Sequence, residues 1–219
     1  MITRPANDTA VSAAVLAGGG SRRFGADKAL VPSPVDGRPV LERTVALLRE
    51  VSDDVTIIAP PARSYERFGA PVVSERIPGR GPLGGIETAL TVARHERCLI
   101  VACDLPLLRL DLLLWLAAAP FDGDALVPYL GASDDESNAG AVLRPQSLLA
   151  VYRTAILPDV RRLVQEGERR VHGLLDVIRV VSPTVESLLD VDPDLISFRN
   201  INTRDELATA ARLLRDAMT

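Results

Sequence analysis

Leu16-Ala17-Gly18-Gly19-Gly20-Ser21-Arg22-Arg23-Phe24-Gly25-Ala26-Asp27-Lys28 is the stretch around which the rest of the chain is organised. It closes an apolar run, residues 10–17, that reads as a buried strand entering a glycine turn. Glycines let a backbone turn sharply and aim successive N–H groups at an anion. Neither common phosphate-loop pattern fits. A dinucleotide fingerprint needs glycine three residues after Gly20, where Arg23 stands, and a Walker loop needs lysine directly after Gly25, where Ala26 stands. What remains is a glycine turn with Arg22, Arg23 and Lys28 close by, three cations that suit a triphosphate. The plainer reading is a tight turn with exposed charges. Lys28 tips the balance: the chain holds 25 Lys+Arg, and Lys28 is its only lysine. Arginine's planar fork does not replace a compact ammonium where a point charge must reach a phosphate.

Downstream, residues 39–51 show helical periodicity, with Val40, Leu41, Thr44, Leu47 and Leu48 on one face. Residues 55–59 read as a second strand closed by Pro60-Pro61, and 71–74 as a short third. Residues 79–85 form a glycine-rich loop that opens into a helix over 86–94. Residues 98–102 are a central strand ending in Cys103-Asp104, followed by a helix over 111–119 and strands at 125–127 and 140–143. The polar, acidic segment 131–138 reads as a mobile surface loop. Residues 148–167 read as one or two helices broken at Pro158, and 178–181 as a last strand. An amphipathic helix over 204–218 turns Leu207, Ala211 and Leu214 inward. Strands alternating with helices predict an α/β fold with a parallel sheet and helices on both faces. One domain over 1–219 is expected, its first ten residues a loose tail. Ligands of such sheets sit beyond the carboxyl ends of the strands, so functional residues should follow strands directly.

Composition narrows the class. Of 219 residues, 47% are hydrophobic and 25% charged, which excludes a disordered chain or a fibre. The longest uncharged stretch, residues 9–21, is too short to span a membrane. Asp8 and the glycines and arginines that end this run argue against a cleaved signal peptide. A net charge of −4 with interleaved signs argues against a nucleic-acid surface. Cys98 and Cys103 lie five apart on one strand, so they face opposite sides and do not bond each other. Two cysteines fit a reducing, cytoplasmic setting, and with two distant histidines they give no zinc spacing. His95 and His172 read as surface or helix-end residues, and Trp115 with the leucines of 112–116 as core or interface.

Three further clusters carry possible chemistry. The glycines of Gly79-Arg80-Gly81-Pro82-Leu83-Gly84-Gly85-Ile86 permit close approach of a ligand or of neighbouring backbone, and the helix beyond could direct its N-terminus at the ligand. Asp104 ends an apolar strand where a parallel sheet binds ligands. Its hard oxygen suits Mg²⁺, which takes one or two carboxylates plus substrate phosphates, although an N-cap or turn aspartate is the alternative. Asn200 and Asn202, two of four asparagines, stand at i and i+2, so on an extended segment both amides point one way. Alternatively, Asn202 or Thr203 caps the final helix, with Glu206 completing a capping box.

Together these stretches resemble the molybdenum cofactor guanylyltransferases, a branch of the nucleotidyltransferases. The resemblance rests on Leu16-Ala17-Gly18-Gly19 through Asp27-Lys28-Ala29-Leu30, Gly81-Pro82-Leu83 with Gly85-Ile86, Cys103-Asp104 with Pro106, and Asn200-Ile201-Asn202-Thr203 with Asp205 and Leu207. Residues 146–153 also resemble that family's helix after the loop. The resemblance implies a Rossmann-like fold with a mostly parallel sheet. It implies transfer of GMP from GTP onto molybdenum-loaded molybdopterin, releasing pyrophosphate. Leu16, Ala17 and Gly18 would contact the nucleotide through backbone, continued by Gly19 and Gly20 and joined by Glu75 and Gly81. Lys28 would hold phosphates with Arg22 beside it, Asp104 would bind Mg²⁺, and Asn200 and Asn202 would meet the second substrate. Contact with cofactor-biosynthesis proteins or molybdoenzymes is implied as well. Two departures stand out. Glu75 replaces the family's usual aspartate, and Ala59-Pro60 stands where the family can carry an asparagine near the base.

Such a reaction needs no side-chain nucleophile, because the second substrate's phosphate attacks. Catalysis is positioning plus neutralisation of the charge developing on pyrophosphate. Rival readings are a cytidylyltransferase for the same cofactor, another small NTP transferase, and a non-catalytic nucleotide-binding module.

Overall fold

A computed structural model of the chain describes residues 10–18, 27–131 and 143–216. The strands, in chain order, are β1 (Ser12–Leu16), β2 (Val55–Ile58), β3 (Val72–Val73), β4 (Arg97–Ala102), β5 (Ala125–Leu126), β6 (Tyr129–Gly131), β7 (Leu143–Pro145), β8 (Leu149–Arg153) and β9 (Val180–Val181). Seven form one sheet in the order β3-β2-β1-β4-β8-β5-β9, and β6 and β7 pair separately. The pairs β1–β2, β1–β4, β2–β3 and β5–β9 are parallel; β8 runs antiparallel to both its neighbours. The sheet is therefore mostly parallel, as the alternation of elements predicts.

Apolar side chains alternate between the two faces. Ala13 and Val15 face a core shared with Leu41, Val45 and Leu48 of α1 (Val40–Val51) and Leu112, Leu113 and Leu116 of a later helix. Ala14 faces the other core, with Leu83, Ile86 and Leu90 of α2 (Gly81–Val92). That later helix is α3 (Leu110–Ala118); α4 (Leu157–Gln165) and α5 (Val171–Leu175) join α2 on its face. The short α6 (Val185–Leu189) and the long α7 (Arg204–Asp216) follow. Cys98 and Cys103 are free and fall in opposite cores, as their odd spacing requires.

Three boundaries differ from the sequence reading. Helix α2 starts at Gly81 rather than 86, with Pro82 in its first turn, where a missing N–H costs nothing. Residues 149–153 form β8 instead of a helix, a correction that also covers the likeness noted at 146–153. Four of its five residues are buried, Leu149 and Val151 in one core and Ala150 and Tyr152 in the other. A strand covered on both faces loses its polar alternation and reads like a buried helix. Pro158 lies at the start of α4 and so begins a helix instead of breaking one. The tail at 1–9 and the loop at 132–138 lie outside the described residues.

The chain leaves β1 by α1 to reach β2 on one side and returns by α2 to reach β4 on the other. The two crossovers cover opposite faces, which opens a crevice between the carboxyl ends of β1 and β4. Among the described residues no helix is long and apolar enough to cross a membrane.

Candidate active site

A cleft of ≈ 580 Å³ occupies that crevice. Its floor is the exit from β1, Leu16 to Gly18, held on both sides: Ala17 N–H donates to the Ile58 carbonyl (2.8 Å) and Cys103 N–H to the Leu16 carbonyl (3.2 Å).

Lys28 enters from one side on a single 3-10 turn, Lys28–Leu30, whose N-cap is Asp27. The Lys28 ammonium donates a 2.8 Å hydrogen bond to Asn202 Oδ1. Asn202 arrives because Ile201 N–H donates to the backbone carbonyl of Asp104 at 2.9 Å, docking the segment before α7 onto the turn after β4. Thr203, not Asn202, caps α7: its hydroxyl accepts from Glu206 N–H (3.1 Å) and the Glu206 carboxylate accepts from Thr203 N–H (3.0 Å). This is a reciprocal capping box, and it leaves the Asn202 amide facing the cleft.

Asp104 is partly buried beside Lys28. Burial pushes its carboxyl above the usual carboxylate range, and Lys28 only partly offsets this. A carboxylate held in such surroundings is under-compensated, a setting that a cation would relieve. The neighbouring Cys103 thiol is pushed up to about 12, first by burial and then by the charges of Asp104 and Asp27. It stays a neutral thiol at pH 7, so it is no nucleophile.

The opposite wall is the N-terminal end of α2. Glu75 accepts backbone hydrogen bonds from Gly79 and Arg80, yet burial still raises its carboxyl above the ordinary value. Two glycines here pack closely against their neighbours. A Cβ on Gly85 would lie 3.1 and 3.3 Å from the Leu16 methyls, and Gly81 has φ +63° with the Arg169 carbonyl 3.0 Å from where its Cβ would stand. The cluster thus serves close packing of helix on strand as well as opening the cleft.

Of the residues picked from sequence, the cleft gathers Leu16, Ala17, Gly18, Lys28, Glu75, Gly81, Asp104 and Asn202. Asn200 is exposed and does not line it. Gly19, Gly20 and Arg22 lie outside the described residues. His95 sits at the far end of the sheet against Asp53, 2.9 Å away, and His172 is exposed on α5. Sequence reasoning placed Pro60 near the base through the resemblance but missed Leu148 and Pro61 as lining residues. Leu148 carries no polar signal, and Pro61 reads as part of a strand stop. Among the described residues no cluster of three His, Cys, Asp or Glu forms a metal site.

The Leu16–Gly18 backbone, a lysine and an aspartate converge at the switch point, and the family model for the MobA-like NTP transferase domain matches residues 13–183. The chain belongs to the MobA-like NTP transferase family. Relatives include a protein of Chloroflexus aggregans named "Probable molybdenum cofactor guanylyltransferase", 36% identical over 198 residues, covering 90% of this chain and 91% of that one. The molybdenum cofactor guanylyltransferase of Desulfosudis oleivorans is 33% identical over 208 residues, covering 94% and 96%. The crystal structure of molybdopterin-guanine dinucleotide biosynthesis protein A from Archaeoglobus fulgidus superposes with a TM-score of 0.74 at 27% identity, covering 94% of this chain and all of that one. The fold alone does not decide the base, because the 2-C-methyl-D-erythritol 4-phosphate cytidylyltransferase of Thermus thermophilus shares it at TM-score 0.65 and 21% identity. In this MobA-like chain the ammonium of Lys28, the amide of Asn202 and the carboxylate of Asp104 all line the cleft.

Proposed function

We propose that the chain transfers GMP from GTP to molybdenum-loaded molybdopterin, forming the guanine dinucleotide cofactor and pyrophosphate. The observation that carries the reading is the convergence of Lys28, Asn202 and Asp104 beside the Leu16–Gly18 backbone in one cleft. The terminal phosphate oxygen of the pterin attacks the α-phosphorus of GTP. The bond from that phosphorus to the bridging α–β oxygen breaks, and pyrophosphate carries off the electron pair.

Lys28 places a point charge against the phosphates, and Asn202 holds the ammonium in place. The α2 N-terminus adds the positive end of its helix dipole. Asp104 fits Mg²⁺ by its hard oxygen and its under-compensated setting; bound there with phosphate oxygens, the ion would act as Lewis acid and template. Positioning and charge neutralisation account for the chemistry without a covalent intermediate. The two free cysteines suit the reducing cytoplasm.

Guanine selectivity falls to groups other than an asparagine after β2, since Pro60 and Pro61 line the cleft there. The Leu16 carbonyl already accepts from Cys103 N–H, and the Gly79 and Arg80 N–H groups already donate to Glu75, so base reading falls to the remaining backbone groups of residues 79–81, which include both donor and acceptor types. A wrong base leaves such groups unpaired, at a cost of a few kcal/mol. The expected preference for GTP over CTP in kcat/KM is at least about a hundredfold, roughly 2.7 kcal/mol. Pyrophosphate release with molybdenum-loaded molybdopterin, comparing the two nucleotides at equal Mg²⁺, measures it. Equal rates, or faster turnover of CTP, would place the chain with the cytidylyltransferases.

A further inference from the structure

Asp27 shares the cleft wall with Lys28, but its carboxylate is turned back into the protein. One oxygen, Oδ1, accepts from Ala29 N–H at 3.2 Å and so caps the single turn that carries Lys28. The other, Oδ2, accepts from the Tyr65 hydroxyl at 2.6 Å and from Nη1 of Arg63. Tyr65 is 2% exposed and belongs to the core beneath α1. Neither Tyr65 nor Arg63 lines the cleft. Two charge-assisted hydrogen bonds thus tie the lysine turn to the connection between β2 and β3, 36 and 38 residues further along the chain.

We infer that Tyr65 and Arg63 are positioning residues for the transfer reaction. Acting through Asp27, they fix the turn that aims Lys28 at the phosphates. The inference rests on the reading that Lys28 grips phosphate, and it adds a reason why one 3-10 turn suffices. Only two i→i+3 hydrogen bonds hold this turn, Leu30 N–H to the Asp27 carbonyl (3.0 Å) and Val31 N–H to the Lys28 carbonyl (3.2 Å), so it has little stiffness of its own. Clamped at its N-cap from the buried side, it holds the ammonium in one place before nucleotide arrives, and preorganisation of that kind is what electrostatic catalysis requires. Burial and the Asp27 bond both raise the phenol's pKa, which keeps Tyr65 a donor through the physiological range.

The chain's single lysine gives a direct readout. Full-length protein labelled with ¹⁵N-lysine has one lysine amide resonance, that of Lys28. In the wild type this resonance should move on addition of GTP with Mg²⁺. In Tyr65→Phe, which keeps the buried ring, and in Arg63→Gln, on a half-exposed side chain, the nucleotide-free resonance should shift or broaden. In both variants kcat should fall about tenfold and KM for GTP should rise, with Arg63→Lys recovering part of the loss. A tie that only stabilises the fold would lower the melting temperature and leave kcat in place. A Lys28 resonance that superposes on the wild type in both variants, with kcat within twofold, overturns the positioning role. A wild-type resonance that saturating GTP leaves unmoved overturns instead the phosphate role of Lys28 on which the inference stands.

Discussion

Lys28 and Asn202 stand 174 residues apart in the chain, and the ammonium of one donates a 2.8 Å hydrogen bond to the amide oxygen of the other. The bond closes the cleft across its floor, joining the turn after β1 to the segment before α7. An amide is the fitting partner for that role. It accepts a hydrogen bond from the ammonium and carries no charge of its own to cancel that of the lysine.

Asn202→Asp should therefore harm binding more than Asn202→Ala. The alanine variant loses one orienting bond. The aspartate variant adds an anion beside Lys28 and Asp104 and repels the triphosphate. We expect KM for GTP to rise about tenfold or more in the aspartate variant and less in the alanine variant, measured by steady-state pyrophosphate release. The reverse order would show that the amide's contact, not the charge balance, governs binding.

Lys28→Ala should cut transfer by about 10² or more, the scale of losing one preorganised charge donor. Lys28→Arg should also fail, because the guanidinium is larger and planar and cannot sit against Asn202 and a phosphate at the same point. An arginine variant with full activity would remove the phosphate role from Lys28.

Asp104→Asn should abolish metal-dependent turnover and leave the melting temperature close to that of the wild type. Burial disfavours the charged carboxylate, and the bond that docks Ile201 uses the backbone carbonyl of residue 104, which the variant keeps. A protein that melts far lower while still turning over would make Asp104 structural.

Glu75 yields a pH prediction of definite sign. Its carboxyl is raised by burial against two opposing backbone hydrogen bonds. A carboxyl raised in the folded state lowers stability at pH values above its folded pKa, and this cost disappears as pH falls below the unfolded value. Glu75→Gln keeps an acceptor for the Gly79 and Arg80 N–H groups and carries no charge. The nucleotide-free variant should melt above the wild type at pH 7, and the gap should close by about pH 4. A gap that widens on acidification would mean that the folded state favours the charged carboxylate.

The sequence made the parallel half of the fold readable, because β1, β2 and β4 are apolar runs bounded by glycine, proline or aspartate. It failed at β8 for a physical reason. Leu149-Ala150-Val151-Tyr152 is covered on both faces, so nothing in its pattern separates a strand from a buried helix. In the site, Lys28 and Asp104 were legible from type and position, the one as the only lysine and the other as a carboxylate directly after an apolar strand. Asn200 and Asn202 were indistinguishable in sequence. The capping box at Thr203 and the docking of Ile201 decide which amide faces Lys28, and neither is visible until the chain is folded. Arg63 and Tyr65 gave no signal, since an arginine and a tyrosine after a proline pair have no spacing that names Asp27 as their partner.

The docking of Ile201 on the Asp104 carbonyl has a consequence for synthesis on the ribosome. A nascent chain that has emerged as far as β9 already holds the strands, the glycine turn, the lysine and the aspartate. It lacks the strap that closes the floor, so it would carry a cleft without its amide. Only when residues 201–203 clear the exit tunnel can the ammonium gain its bond to Asn202 and the capping box form. Competence to hold nucleotide is thereby tied to the emergence of residues 201–203, and a product that ends short of Asn202 should fold much of its sheet yet fail to retain GTP.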